Sequence, residues 1–301
     1  MGDGRSAQSR GLTARQRLRT GQGGATRRSG PVHEIGWNRL ESLGYNPPVG
    51  RRLIVILAAA LLYAPVDASA QLTVAAASDL QNVMPTIVQR YEQTTGQKTR
   101  VSFGSSGQFF SQIQNGAPFD LFLSADESYV KMLIDSGHAV GSSAVPYASG
   151  RLAVWSRSDR GLNLSKGLLG LTDPQVRRIA IANPEHAPYG RAAVDALRKA
   201  GIYDQVRSRL VLGENVAQAA QFAQTGNADA AIIALSLTRT PSMLVAGTSV
   251  EVPPDAYAII RQTGVVLTRA PDKERARQFL AFLTSPDIAA ILAASGFGSS
   301  R

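Results

Sequence analysis

Ser78 and Ser106 each stand where a short apolar run gives way to a helical pattern, a junction at which serine can offer an anion both a hydroxyl and a free backbone N–H. Leu72-Thr73-Val74-Ala75-Ala76-Ala77 reads as a buried strand, and after it Leu80, Val83, Met84, Ile87, Val88 and Tyr91 recur at the spacing of one helical face. Ser78 falls at the expected N-cap, with Gln81 three residues on, the reciprocal capping-box pattern. Lys98 to Phe103 predicts a second strand, and Gly104-Ser105-Ser106-Gly107-Gln108 leads from it into Phe109, Phe110 and Ile113. Ser105 and Gln108 repeat the capping-box spacing, and Gly104 and Gly107 let the backbone approach a ligand. One such serine most often only caps its helix; the repetition points to a site.

Two further strand-to-helix turns follow, at Asn183-Pro184-Glu185-His186-Ala187-Pro188-Tyr189-Gly190 and at Gly213-Glu214-Asn215-Val216. Converging helix starts supply N–H donors and about half a positive charge each, which suits an oxyanion. Neutral donors with no acceptor among them favour a fully deprotonated tetrahedral ion over hydrogen phosphate, whose proton needs a partner. Asp79 is then expected to face solvent, because an inward carboxylate would repel a dianion and argue for a protonated ligand such as phosphate. Pro85 predicts a tight first turn through Asn82, with the regular helix starting near the proline.

A serine hydrolase is the alternative chemistry, but neither Ser78 nor Ser106 has an evident histidine or lysine base, and no Gly-x-Ser-x-Gly elbow is present. Beyond residue 70 the histidines are His138 and His186, not at metal-ligand spacing, so no metal site is expected and His186 reads as a supporting or surface residue.

The elements that must position these residues alternate. Phe119-Asp120-Leu121-Phe122-Leu123 is a third strand, followed by a cap at Ser124-Ala125-Asp126, and the β-α-β-α-β-α order predicts a parallel sheet with helices on both faces and ligands beyond the strands' carboxyl ends. A crossover near Pro146 to Gly150 precedes a second α/β unit starting at Arg151. A strand from Tyr257 to Leu267 and two helices, with Ala276, Phe279, Leu280 and Leu283 on one stripe and Ile288, Ile291 and Leu292 on the next, are expected to return to the first lobe. Residues 71–150 plus 255–301 would then form lobe one and 151–254 lobe two, joined by two crossings able to hinge.

Length and charge fit this layout. The 301 residues suit two lobes, and the net charge of +10 is concentrated early, residues 1–70 holding 10 of 32 Lys and Arg but 4 of 22 Asp and Glu. The remaining 22 basic and 18 acidic side chains give +4, which carries no signature of nucleic-acid binding. Residues 1–48, rich in Arg, Gly and Ser, read as a disordered basic extension, with translation expected to begin near Val49. Arg51-Arg52, the apolar run Leu53 to Tyr63 and Ala68-Ser69-Ala70 fit a signal peptide over 49–70, too short to span a membrane. With no cysteine there is no disulfide framework, thiol nucleophile or lipidated N-terminus, and a soluble extracytoplasmic compartment such as a periplasm is expected. Trp155, the only tryptophan after cleavage, is expected to report lobe closure.

Five stretches in order, Ala75-Ala76-Ala77-Ser78-Asp79-Leu80, Phe103-Gly104-Ser105-Ser106, Gly116 to Asp126, Asn183 to Gly190 and Gly296-Phe297, resemble the periplasmic molybdate-binding protein family over nearly the whole chain after residue 70. The resemblance implies an α/β, two-lobed, type II periplasmic binding-protein fold and a monomeric receptor, without cofactor or catalysis. Such a receptor delivers molybdate, often tungstate too, to the permease and ATPase of an ABC importer. It also implies that Ser78 and Ser106 give hydroxyls and N–H groups, and Tyr189 and Val216 backbone N–H groups, with no protein atom on the metal itself. One branch of the family carries a further tyrosine hydroxyl where this chain has Ala234; Ser236, two residues on, would substitute weakly if the strand continued. Sulfate, thiosulfate and phosphate are the competing ligands.

Overall fold

The computed structural model describes residues 71–300; the basic extension 1–48 and the signal segment 49–70 lie outside the described residues. Ten strands run in chain order: β1 (Leu72–Ala77), β2 (Thr99–Gly104), β3 (Leu121–Ser124), β4 (Val145–Gly150), β5 (Leu152–Arg157), β6 (Ile179–Ala182), β7 (Leu210–Gly213), β8 (Ala230–Ala234), β9 (Gly247–Glu251) and β10 (Ile260–Val266). They form two five-stranded sheets, ordered β2-β1-β3-β10-β4 and β7-β6-β8-β5-β9, one in each lobe.

Both sheets are mixed rather than purely parallel. β1 pairs parallel with β2 and β3, and β6 with β7 and β8, whereas β10 runs antiparallel to β3 and β4, and β5 antiparallel to β8 and β9. Topology supplies the reason. The parallel strands end at the cleft between the lobes, while β5 and β10 each enter their lobe by a crossing from the other and so begin there.

The continuous apolar runs of the first sheet divide by the two-residue period of a strand. Val74, Ala76, Leu121 and Leu123 pack with Met84, Ile87, Phe279 and Leu283 on one face, and Ala75 and Phe122 pack with Phe109, Ile113 and Leu133 on the other. Both faces are covered, as the lack of polar alternation requires. In the second lobe Trp155 is 1 % exposed and donates its indole N–H to the Met243 carbonyl at 3.3 Å. It is locked in that lobe's core, so it is not the reporter of closure that its uniqueness suggests.

Arg151 lies between β4 and β5, and its Nε and Nη2 donate to the two carboxylate oxygens of Glu251, at the end of β9, at 2.6 and 2.5 Å. The Leu152 N–H donates to the Tyr257 hydroxyl at 3.1 Å. Both crossings are thereby tied to each other at one place.

Candidate functional site

The start of the first helical segment is set by Pro85. A regular helix running from Ser78 would hold this proline in its interior, where it lacks a donor and clashes with the preceding turn. The chain instead makes a single 3-10 turn, Ser78–Leu80, then restarts as the helix Met84–Thr95 with Pro85 in its first turn. Ser78 therefore does not cap: Ala77 precedes the turn and no side-chain cap bond forms. The Ser105–Gln108 capping box is also absent, because the Ser105 hydroxyl donates instead across the cleft to the His186 carbonyl at 2.6 Å. Asp126 does cap the next helix, accepting from the Ser128 N–H at 2.8 Å.

Ser78, Ser106, Tyr189 and Val216 come together around one small cavity at the carboxyl ends of β1, β2, β6 and β7. All four are buried. The Ser106 hydroxyl accepts from the Ala125 N–H at 3.0 Å, which leaves its own hydrogen free to donate. Among the described residues the Ser78 hydroxyl has no protein partner.

Two helices of the second lobe each reserve a donor. At Val216–Gln224 the Asn215 side chain accepts from the Ala217 and Gln218 N–H groups, both at 3.0 Å, and the Val216 N–H remains without a protein acceptor. At Pro188–Lys199 the first residue has no N–H, and Gly190 and Arg191 donate to the Ala187 carbonyl, leaving the Tyr189 N–H. Gly190 is required here, since a Cβ would lie 2.2 Å from the Ala182 carbonyl oxygen.

The lobes are closed over the cavity. The Gly107 N–H donates to the His186 carbonyl at 2.9 Å, Gln108 Nε2 donates to Glu214 at 2.7 Å, and Arg191 donates to the Tyr129 hydroxyl at 3.1 Å and pairs with Asp126. His186 is part of this rim, its Nδ1 3.0 Å from the Ser105 hydroxyl and its Nε2 3.8 Å from Glu214. Among the described residues no Lys, Arg or His lines the cavity itself.

Asp79 departs most from expectation. Asp79 is fully buried and belongs to the cavity lining instead of facing solvent. Oδ2 accepts from the Tyr189 hydroxyl at 2.9 Å and from Gln262 Nε2, whose Oε1 in turn accepts from the Tyr147 hydroxyl at 2.8 Å. The physical reason is local: the 3-10 turn carries residue 79 to two buried polar partners, Tyr189 at the start of a second-lobe helix and Gln262 on β10. Burial pushes its carboxyl up to about 6, against the lowering effect of bonds from Tyr189, Gln262 and the backbone N–H groups of Asp79 and Leu80. Burial, then the nearby Asp79 charge, also holds the Tyr189 and Tyr147 phenols well above their usual range, so both stay protonated donors.

A carboxyl raised in the folded state binds more protons there than when unfolded, so its contribution to stability is lost as pH climbs from about 4 to 6 and does not return above. Asp79→Asn should therefore raise the melting midpoint relative to the parent at pH 7.5 and not at pH 4; an equal offset at both would show that ionisation is not the cause.

Ser236 cannot replace the hydroxyl missing at Ala234. The strand ends at Ala234, residues Leu235–Thr238 are helical, and the Ser236 hydroxyl donates to the Asp79 carbonyl at 2.9 Å, outside the cavity lining. Sequence reasoning missed Gln262 and Tyr147 altogether. The available signal was a glutamine in an apolar strand, since a buried amide must have partners.

A family model described as bacterial extracellular solute-binding protein matches residues 72–298. The molybdate-binding protein ModA of Azotobacter vinelandii is 39% identical over 252 residues, 82% of this chain and 97% of that protein. ModA of Rhodobacter capsulatus is 38% identical over 207 residues, 69% and 80% of the two chains. In structure, the periplasmic molybdate-binding protein of A. vinelandii superposes with a TM-score of 0.72 at 31% identity, covering 77% of this chain and all of that one.

Proposed function

Since this chain belongs to the bacterial extracellular solute-binding proteins, and within them to the molybdate-binding proteins, we propose that it captures molybdate outside the cytoplasm and hands it to an ABC importer, with tungstate as a second ligand. The observation that carries this reading is the convergence of Ser78, Ser106, Tyr189 and Val216, with their hydroxyls and unused N–H groups, on one cavity whose lining among the described residues holds no cationic residue. Burying a dianion is severely unfavourable unless its oxygens are hydrogen-bonded, and neutral donors can satisfy them without a counter-ion. Three of the donor sets sit at the starts of regular helices and gain from their dipoles, whereas Ser78 stands on a single 3-10 turn and contributes chiefly its hydroxyl and N–H.

The protein is a receptor and not an enzyme, in keeping with relatives that are solute-binding proteins. No cofactor is involved, and the metal enters only as the centre of the bound ion. The two crossings near Arg151 and Glu251 support a hinge between lobe one, 71–150 plus 255–301, and lobe two, 151–254. Export through the 49–70 signal segment to a periplasm and function as a monomer belong to the same proposal. Among the described residues no helix is long and apolar enough to cross a membrane.

The inward Asp79 favours one competitor, hydrogen phosphate, which brings a proton of its own. Thermal melting with molybdate, tungstate, sulfate, thiosulfate and phosphate decides between them. Free ligand at 100 times its dissociation constant adds about 2.7 kcal/mol of stability, a rise of about 5 to 10 °C for a chain of this size. Molybdate and tungstate are expected to raise the midpoint most, and a shift with phosphate as large as theirs would overturn the assignment.

A further inference from the structure

Asp79 poses a problem that the donor set does not solve. Among the described residues it is the only acidic residue lining the cavity, it is fully buried, and it would meet a doubly negative ion with no cationic residue in that lining to separate them. The groups facing it are neutral: the Tyr189 hydroxyl from the second lobe, Gln262 on β10, and through Gln262 the Tyr147 hydroxyl on β4, while Ser236 engages only its backbone carbonyl. These account for Oδ2. Oδ1 is buried with no partner at hydrogen-bond geometry, only the Asp79 and Leu80 N–H groups lying near enough to act on the carboxyl. A buried carboxylate with an empty oxygen, beside a site for oxygen atoms, lacks one hydrogen.

We infer that binding of the dianion takes up one proton, which the Asp79 carboxyl and an oxygen of the ligand share. The inference rests on the oxyanion reading above. The proton comes from solvent: ionised Asp79, dianion and one proton give a closed site with one net charge fewer than the two separate anions. A carboxyl–oxyanion hydrogen bond then replaces a carboxylate–oxyanion repulsion and supplies a donor on a site whose Ala234 offers none. Burial, which already holds the Asp79 carboxyl up at about 6, makes uptake easier.

Isothermal calorimetry of molybdate binding at pH 8 in two buffers of different ionisation enthalpy counts the protons directly. Uptake close to one per molybdate is expected, with affinity weakening about tenfold per pH unit from 7 to 9. Asp79→Asn, isosteric and uncharged, should bring uptake near zero, flatten the profile and bind about tenfold or more tightly than the parent at pH 8. Uptake near zero in the parent, or undiminished uptake in Asp79→Asn, would overturn the inference while leaving molybdate binding intact. If no tetrahedral oxyanion binds at any pH, the functional reading fails and this inference with it.

Discussion

Gly107→Ala is expected to weaken ligand binding by about 100-fold or more while leaving the ligand-free melting midpoint unchanged or slightly raised. A Cβ at Gly107 would lie 2.5 Å from the His186 carbonyl oxygen and 2.8 Å from the His186 Cβ, both on the opposite lobe. That contact exists only when the lobes are closed, and relieving it also breaks the Gly107 N–H and Ser105 hydroxyl bonds to the same carbonyl. The third close atom, the Tyr129 hydroxyl 2.6 Å away, is the tip of a side chain that can turn aside. Within its own lobe the substitution is benign, since alanine in a helix gains about 0.5 to 1 kcal/mol over glycine. If binding requires closure, apparent affinity falls in proportion to the closed fraction. Calorimetry with molybdate, paired with thermal melting of the empty protein, separates closure from folding; parent-like affinity would mean that the closed arrangement is not the binding state.

Ser106→Ala should cost about 1.5 to 3 kcal/mol of binding, roughly 10- to 150-fold, the range for a hydrogen bond to a charged group. The Ser106 hydroxyl is held in place because it accepts from the Ala125 N–H, so its hydrogen has one direction left. Removing it leaves that buried N–H without a partner and, on the proposed site, a ligand oxygen as well. The loss should appear with molybdate and tungstate alike, since the bond is to oxygen and not to the metal. An unchanged dissociation constant would take Ser106 out of the site.

Gly107 and Ser106 act at different levels, one on the closed population and the other on the contact made within it. Their costs should therefore be additive in a double variant provided that the ligand binds only the closed form.

Much of the framework was legible from local pattern. Apolar runs marked the strands, three- and four-residue spacing marked helical faces, and small or polar residues at the junctions marked the turns that line the cavity. These are consequences of backbone geometry and of hiding apolar surface, both written in neighbouring residues. The antiparallel placement of β5 and β10 was not, because strand direction depends on which lobe the chain arrives from.

The sequence alone determined the four turns that carry Ser78, Ser106, Tyr189 and Val216, and the family to which they belong. Tertiary structure decided what each side chain does there: that Ser105 bonds across the cleft instead of capping, that Ser236 holds the Asp79 backbone, and that Asp79 turns inward to Tyr189 and Gln262. The reason is sequence distance. Asp79 lies 110 residues from Tyr189 and 183 from Gln262, and a polar side chain chooses between water and a buried partner only after the lobes have brought that partner within reach.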